Sequence, residues 1–196
     1  MAQTQVENSL DEDPLLRIGL LADIQYCDCE TAGTRHYRLS LGKLEEAVKE
    51  LLAEKVDLTV VLGDLIDRDL ASFKAVDERL EPLKPDMIIV PGNHDFALGT
   101  GREADRTRVD LHARCPAVST VPGIRMLFLN GMANSIEAWP LGSRKQKKGT
   151  ETFTRLKSEG APNAQEWNGG LGNKQLRWIT RQVSQANRLN QSLILF

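Results

Sequence analysis

The chain has 196 residues, 41% of them hydrophobic and 27% charged, with a net charge of −2. This is the length and balance of one ordinary globular domain able to bury a core. It excludes a broad basic field for nucleic acid, and no apolar run approaches the roughly 18 residues of a membrane span.

Residues 1–14 are polar and acidic, with Asp11-Glu12-Asp13. They read as a flexible tail without the basic-then-apolar pattern of a secretory signal, so the expected location is cytoplasmic. Leu15 to Ala22 is apolar enough for a first strand covered on both faces, and Asp23-Ile24-Gln25-Tyr26 follows at its carboxyl end. Three cysteines (Cys27, Cys29 and Cys115) form no disulfide framework. Cys27-Asp28-Cys29 suits a soft metal but lacks a second pair to complete a zinc site, so free thiols are expected. Tyr37 to Lys55 is predicted helical from Leu41, Leu44, Val48, Leu51 and Leu52. Leu58 to Leu62 is a second strand, running into Gly63-Asp64-Leu65-Ile66-Asp67-Arg68.

Leu70 to Leu83 repeats the helical spacing and is ended by Pro85. Met87 to Val90 is a third strand, opening into Gly92-Asn93-His94-Asp95. Gly-Asn is also plain turn chemistry, so this tetrapeptide alone decides nothing. Arg102 to Cys115 reads as a helix. Between Val118 and Leu129 the pair Pro122-Gly123 marks a turn, and Ile124 to Leu129 is a strand. Residues 130–170 are irregular. The cationic run Arg144-Lys145-Gln146-Lys147-Lys148 reads as a solvated loop, with a minor contact to an anionic substrate as the other reading. Asn173 is placed as the cap of a helix through Arg188, and Ser192 to Phe196 begins another strand. The βαβαβα series implies an α/β fold with a mainly parallel sheet.

In a parallel sheet the carboxyl ends of successive strands share one edge. Asp23 with Gln25, Asp64 with Asp67, and Asn93 with His94 therefore converge there. Carboxylate, carboxamide and imidazole groups suit Mn²⁺, Mg²⁺ or Fe²⁺ better than a structural zinc. Two such cations, about 3.5–4 Å apart and sharing one bridging carboxylate, activate water for in-line attack on phosphorus.

Asp-x-Gln, Gly-Asp-x-x-Asp-Arg and Gly-Asn-His-Asp, in this order and spacing, resemble the calcineurin-like metallophosphoesterase superfamily. Gln25 stands where most members have His. That departure, with Arg35-His36-Tyr37-Arg38 and Trp167-Asn168-Gly169-Gly170 before Gln175-Leu176-Arg177-Trp178, is similar to the manganese-dependent ADP-ribose/CDP-alcohol diphosphatase branch. The resemblance covers roughly residues 16–196. It implies a partial metallophosphoesterase-type sandwich over residues 15–196, with mostly parallel strands flanked by helices.

The resemblance further implies two divalent metal ions, Mn²⁺ first and Mg²⁺ or Fe²⁺ as alternatives. Asp23 and Gln25 would hold the first, Asp64 would bridge both, and Asn93 would hold the second. His94 would serve the phosphoryl transition state or the leaving oxygen, with Asp95 orienting it. Asp67 and Arg68 would be supporting or structural. Tyr26 and Asn168 would touch substrate, with packing or turn roles as the alternative. The substrate would be a small nucleotide-type diphosphate, with no nucleic acid or membrane partner; protein partners are not specified.

The family also uses a His after the last strand read here and a later Gly-x-His-x with a partner His. This chain has only His36, His94 and His112. The expectation is a chain truncated at the C-terminus, lacking the C-terminal strands, with weak metal binding and little or no activity. Two alternatives stand beside it. One is a phosphodiesterase or phosphatase acting on cyclic nucleotides or monoesters. The other is a non-catalytic fragment that binds metal or protein.

Overall fold

A computed structural model describes residues 14–196, so the acidic tail expected over 1–14 lies almost wholly outside the described residues. Strand β1 (Ile18–Leu21) pairs in parallel with β2 (Leu58–Val61), and β2 with β3 (Met87–Ile89). All four residues of β2 are buried, as expected of a central strand. Helix α1 (Ser40–Ala53) returns the chain from β1 to β2, and α2 (Ser72–Leu80) from β2 to β3. Leu44 and Val48 of α1 and Val76 and Leu80 of α2 close one face of this sheet, together with Val61. Val60 and Val61 are fully buried, and each contributes roughly 1.5–3 kcal/mol by leaving water.

The opposite face is not covered by helices. Helix α3 (Arg102–Arg114) leads into β4 (Ala117–Val121), which pairs antiparallel with β5 (Ile124–Phe128); β5 in turn pairs in parallel with β6 (Ser192–Leu195). Met126 and Phe128 of β5 pack with Leu58 and Val60 of β2, so two three-stranded sheets meet face to face. The sandwich of mostly parallel strands implied by the resemblance is what forms, with β1, β2 and β3 all parallel in one sheet and the second sheet mixed. Helix α4 (Arg144–Ser158) corrects one reading, because the cationic run expected to be a loop forms its first turns. Ser143 caps α4 by accepting from the Gln146 N–H. Helix α5 (Asn173–Arg188) starts one residue earlier than predicted, with Gly172 rather than Asn173 at the cap.

Cys27 and Cys29 are joined as a disulfide, which corrects the expectation of free thiols. Arg38 holds the segment between and beyond them by pairing with Asp28 and Glu30. Cys115 is free and buried, and burial pushes its thiol up to about 11, so it is inert packing.

His112 of α3 is buried between Phe96 and Trp139, stacked on the latter at 3.5 Å. Its Nε2–H donates to the Ala138 carbonyl at 2.8 Å, and its Nδ1 accepts from Asn130 at 3.0 Å. Both bonds suit the neutral ring, and burial holds the imidazole down to about 4. The folded value lies below the unfolded one. The stabilisation is therefore complete above pH ~6.5 and lost as pH falls through ~4, up to about 3 kcal/mol. Denaturant titrations between pH 7 and 4 are expected to show that slope, flattened in His112→Gln.

Candidate metal centre

The carboxyl ends of β1, β2 and β3 share one edge, as the parallel register requires. There the chain leaves each strand abruptly. Asp23, Gln25 and Asp64 have φ of 53°, 44° and 53°, in the left-handed region. The loops are locked to each other, since the Gln25 N–H donates to the Asp64 carbonyl at 2.8 Å and the Asp23 N–H to Gly63 at 3.3 Å. Gly63 (φ 90°) and Gly92 press backbone on backbone. A Cβ on Gly63 would lie 2.7 Å from the Gly92 Cα, and one on Gly92 would lie 2.6 Å from the Asp64 nitrogen.

Gln25 Nε2 lies 3.5 Å from an Asp23 oxygen and 3.4 Å from an Asp64 oxygen. Two carboxylates thus face one space, and an N–H donor stands where a cation would. Turning the amide over presents Gln25 Oε1 to the same space. The half-buried Asn93 side chain makes no hydrogen bond among the described residues, which leaves its oxygen free. Carboxylate and carboxamide oxygens together fit a hard divalent cation such as Mn²⁺ or Mg²⁺. Asp64 is central: its Oδ1 accepts the His94 N–H at 2.9 Å while Oδ2 faces Gln25.

The His94 ring is held by Asp67 and not, as expected, by Asp95. Nδ1 donates to the Asp67 carbonyl at 2.9 Å and lies 3.5 Å from the Asp67 carboxylate. Asp67 is buried, and Arg68 donates to its other oxygen at 2.6 Å. Asp95 points the opposite way. Its carboxylate accepts from Gly92, Asp64, Leu65 and Ile66 at 2.8–3.3 Å, clipping the β2 loop to the β3 loop. The cause is the tight 3-10 turn over His94–Phe96, which sends successive side chains apart. Arg108 of α3 fixes that turn from outside by donating to the Phe96 and Gly99 carbonyls.

Tyr26 bridges to Ile66 through backbone and packs against the first core, while Asn168 closes its own turn on the Asn163 carbonyl. Neither has a contact that marks it for substrate. Among the described residues, three or more Cys, His or acidic side chains come within ligand spacing only at Cys27, Cys29 and Asp69, where the two sulfurs are already bonded to each other. No helix among the described residues is long and apolar enough to cross a membrane.

The sequence profile of the calcineurin-like phosphoesterase family matches residues 16–179. A manganese-dependent ADP-ribose/CDP-alcohol diphosphatase of Danio rerio is 26% identical, over 94% of this chain and 70% of that protein. One of Arabidopsis thaliana is 24% identical, over 95% and 68%. The crystal structure of a dimetal phosphatase from Danio rerio superposes with a TM-score of 0.77 at 23% identity, covering 94% of this chain and 69% of that one.

Proposed function

The chain belongs to the calcineurin-like phosphoesterase family, and from that membership we propose that it hydrolyses the phosphoanhydride of a small nucleotide-type substrate, ADP-ribose or a CDP-alcohol. The observation that carries this reading is the shared space among Asp23, Gln25 and Asp64, with His94 tied to the same aspartate. Similarity to manganese-dependent diphosphatases supports the substrate class.

Asp23, Gln25, Asp64 and Asn93 are the residues that would hold divalent cations, Mn²⁺ first. Bound there, the cations supply Lewis-acid polarisation of a phosphoryl oxygen and an acidified water. The chain's own work lies in His94. Asp67 occupies Nδ1, so Nε2 is the nitrogen left to meet a phosphoryl or leaving oxygen and pass it a proton. Arg35 and Arg68 flank Asp67 and hold it in place. His112 is committed to Ala138 and Asn130, and His36 contacts Thr31, so neither adds an imidazole to the ligand set.

The test is a substrate panel of ADP-ribose, CDP-choline, a cyclic nucleotide and an aryl phosphate, with Mn²⁺ and with chelator. The expected result is strictly Mn²⁺-dependent cleavage of the first two. His94→Ala is expected to lower kcat about a hundredfold with Mn²⁺ binding retained. Preference for the cyclic nucleotide or the monoester would overturn the substrate assignment. Mn²⁺ binding with no turnover of any substrate would favour a non-catalytic metal-binding role for the same residues.

A further inference from the structure

Helices α4 and α5 and the loop after β5 enclose a cavity of about 440 Å³ that none of the candidate metal ligands lines. Its walls carry three cations (Lys145, Lys174 and Arg181), two tryptophans (Trp139 and Trp178) and His112, with no carboxylate. None of the three cations forms a salt bridge with a described carboxylate. A chain of net charge −2 therefore gathers unbalanced positive charge in one hollow.

The arrangement is rigid on one side. Trp139 is stacked on His112 at 3.5 Å with planes 8° apart, and Lys145 Nζ covers its other face, 3.6 Å from the ring centre. On the other side, Lys174, Trp178 and Arg181 lie at helical spacings of four and three, so they share one face of α5. The Trp178 ring makes no ring contact among the described residues, so a planar ligand can stack on it. The Lys145 ammonium is held below its ordinary range, by burial first and by the charge of Lys174 second. Two like charges brought together without a counter-ion are relieved by an anion. An adjoining cavity shares Lys145 and Gly172 and adds Lys148.

We propose that this cavity is a second, non-catalytic ligand site for a nucleoside phosphate, with the phosphate against Lys145, Lys174 and Arg181 and the base on Trp178. Cations alone would take any small anion. The aromatic wall and a volume in the range of small-ligand pockets favour a base-bearing one. The site is independent of the hydrolytic centre, so it is tested without divalent metal.

AMP is titrated into the full chain in chelator by calorimetry and tryptophan fluorescence, beside adenosine and inorganic phosphate. AMP is expected to bind with a Kd below about 1 mM, and at least about tenfold more tightly than phosphate or adenosine. The double variant Lys174→Glu/Arg181→Glu changes exposed side chains only. It is expected to weaken AMP at least about tenfold with unchanged melting temperature. Trp178→Leu is expected to bring AMP down to the affinity of phosphate. Asp64→Asn is expected to leave AMP binding unaltered. Absence of AMP binding, equal affinity for phosphate and AMP in the unsubstituted chain, or loss of binding in Asp64→Asn would each overturn the proposal.

Discussion

Asp64→Asn is expected to weaken Mn²⁺ binding at least about a hundredfold and hydrolysis about a thousandfold, the latter equivalent to roughly 4 kcal/mol of transition-state stabilisation. The substitution separates charge from shape. Asparagine keeps an acceptor oxygen for the His94 N–H at the Oδ1 position and tolerates the left-handed backbone that Asp64 adopts. Folding should therefore be nearly unchanged. What is lost is the full negative charge between Gln25 and His94, and no neutral amide offsets the repulsion of two dications. Titration of free Mn²⁺ by electron paramagnetic resonance, beside turnover, reads both effects. Unaltered Mn²⁺ affinity would remove Asp64 from the metal centre.

Asp95→Ala carries the largest expected cost in stability, about 4 kcal/mol, or a fall in melting temperature of roughly 10 °C. Asp95 is fully buried, and its carboxylate is the acceptor for four backbone N–H groups. Truncation leaves all four without a partner in a place that a water can only partly refill. Burial pushes the carboxyl up to about 6, against the pull of those donors. Asp95→Asn is expected to cost almost as much. Its NH₂ would face donors where the native residue has only acceptors. Calorimetric melting in chelator isolates this loss from any effect of metal. A catalytic Asp95 would instead leave the melting temperature in place and lower kcat alone.

These two aspartates show where sequence reasoning reaches and where it stops. Asp23, Asp64 and Asn93 were legible as one cluster because parallel strands put successive carboxyl ends on one edge, whatever the side chains do. The partner of His94 was not legible. Asp95 is its neighbour in the chain, yet the 3-10 turn over His94–Phe96 sends Asp95 inward and brings the imidazole to Asp67, 27 residues earlier. The motif Gly-Asp-x-x-Asp-Arg held that signal, since a buried acid followed by Arg has a task beyond solvation. Helix α4 was missed because its apolar stripe is thin among lysines and threonines. Ser143-x-x-Gln146 was the overlooked mark of its start. The split into two sheets could not be read from strand order, because nothing local says that β5 pairs with β6 and not with β3.

The positive backbone angles at Asp23, Gln25 and Asp64 have a consequence for how such a protein can change. Left-handed geometry costs a non-glycine residue roughly 1 kcal/mol, so three such residues withhold about a fifth to three fifths of a typical domain's net stability. At each, glycine would relieve strain and delete a proposed metal ligand in one step. Selection for thermal robustness alone therefore runs directly against selection for the metal centre. A library screened only for stability would be enriched first in chains that have lost their chemistry.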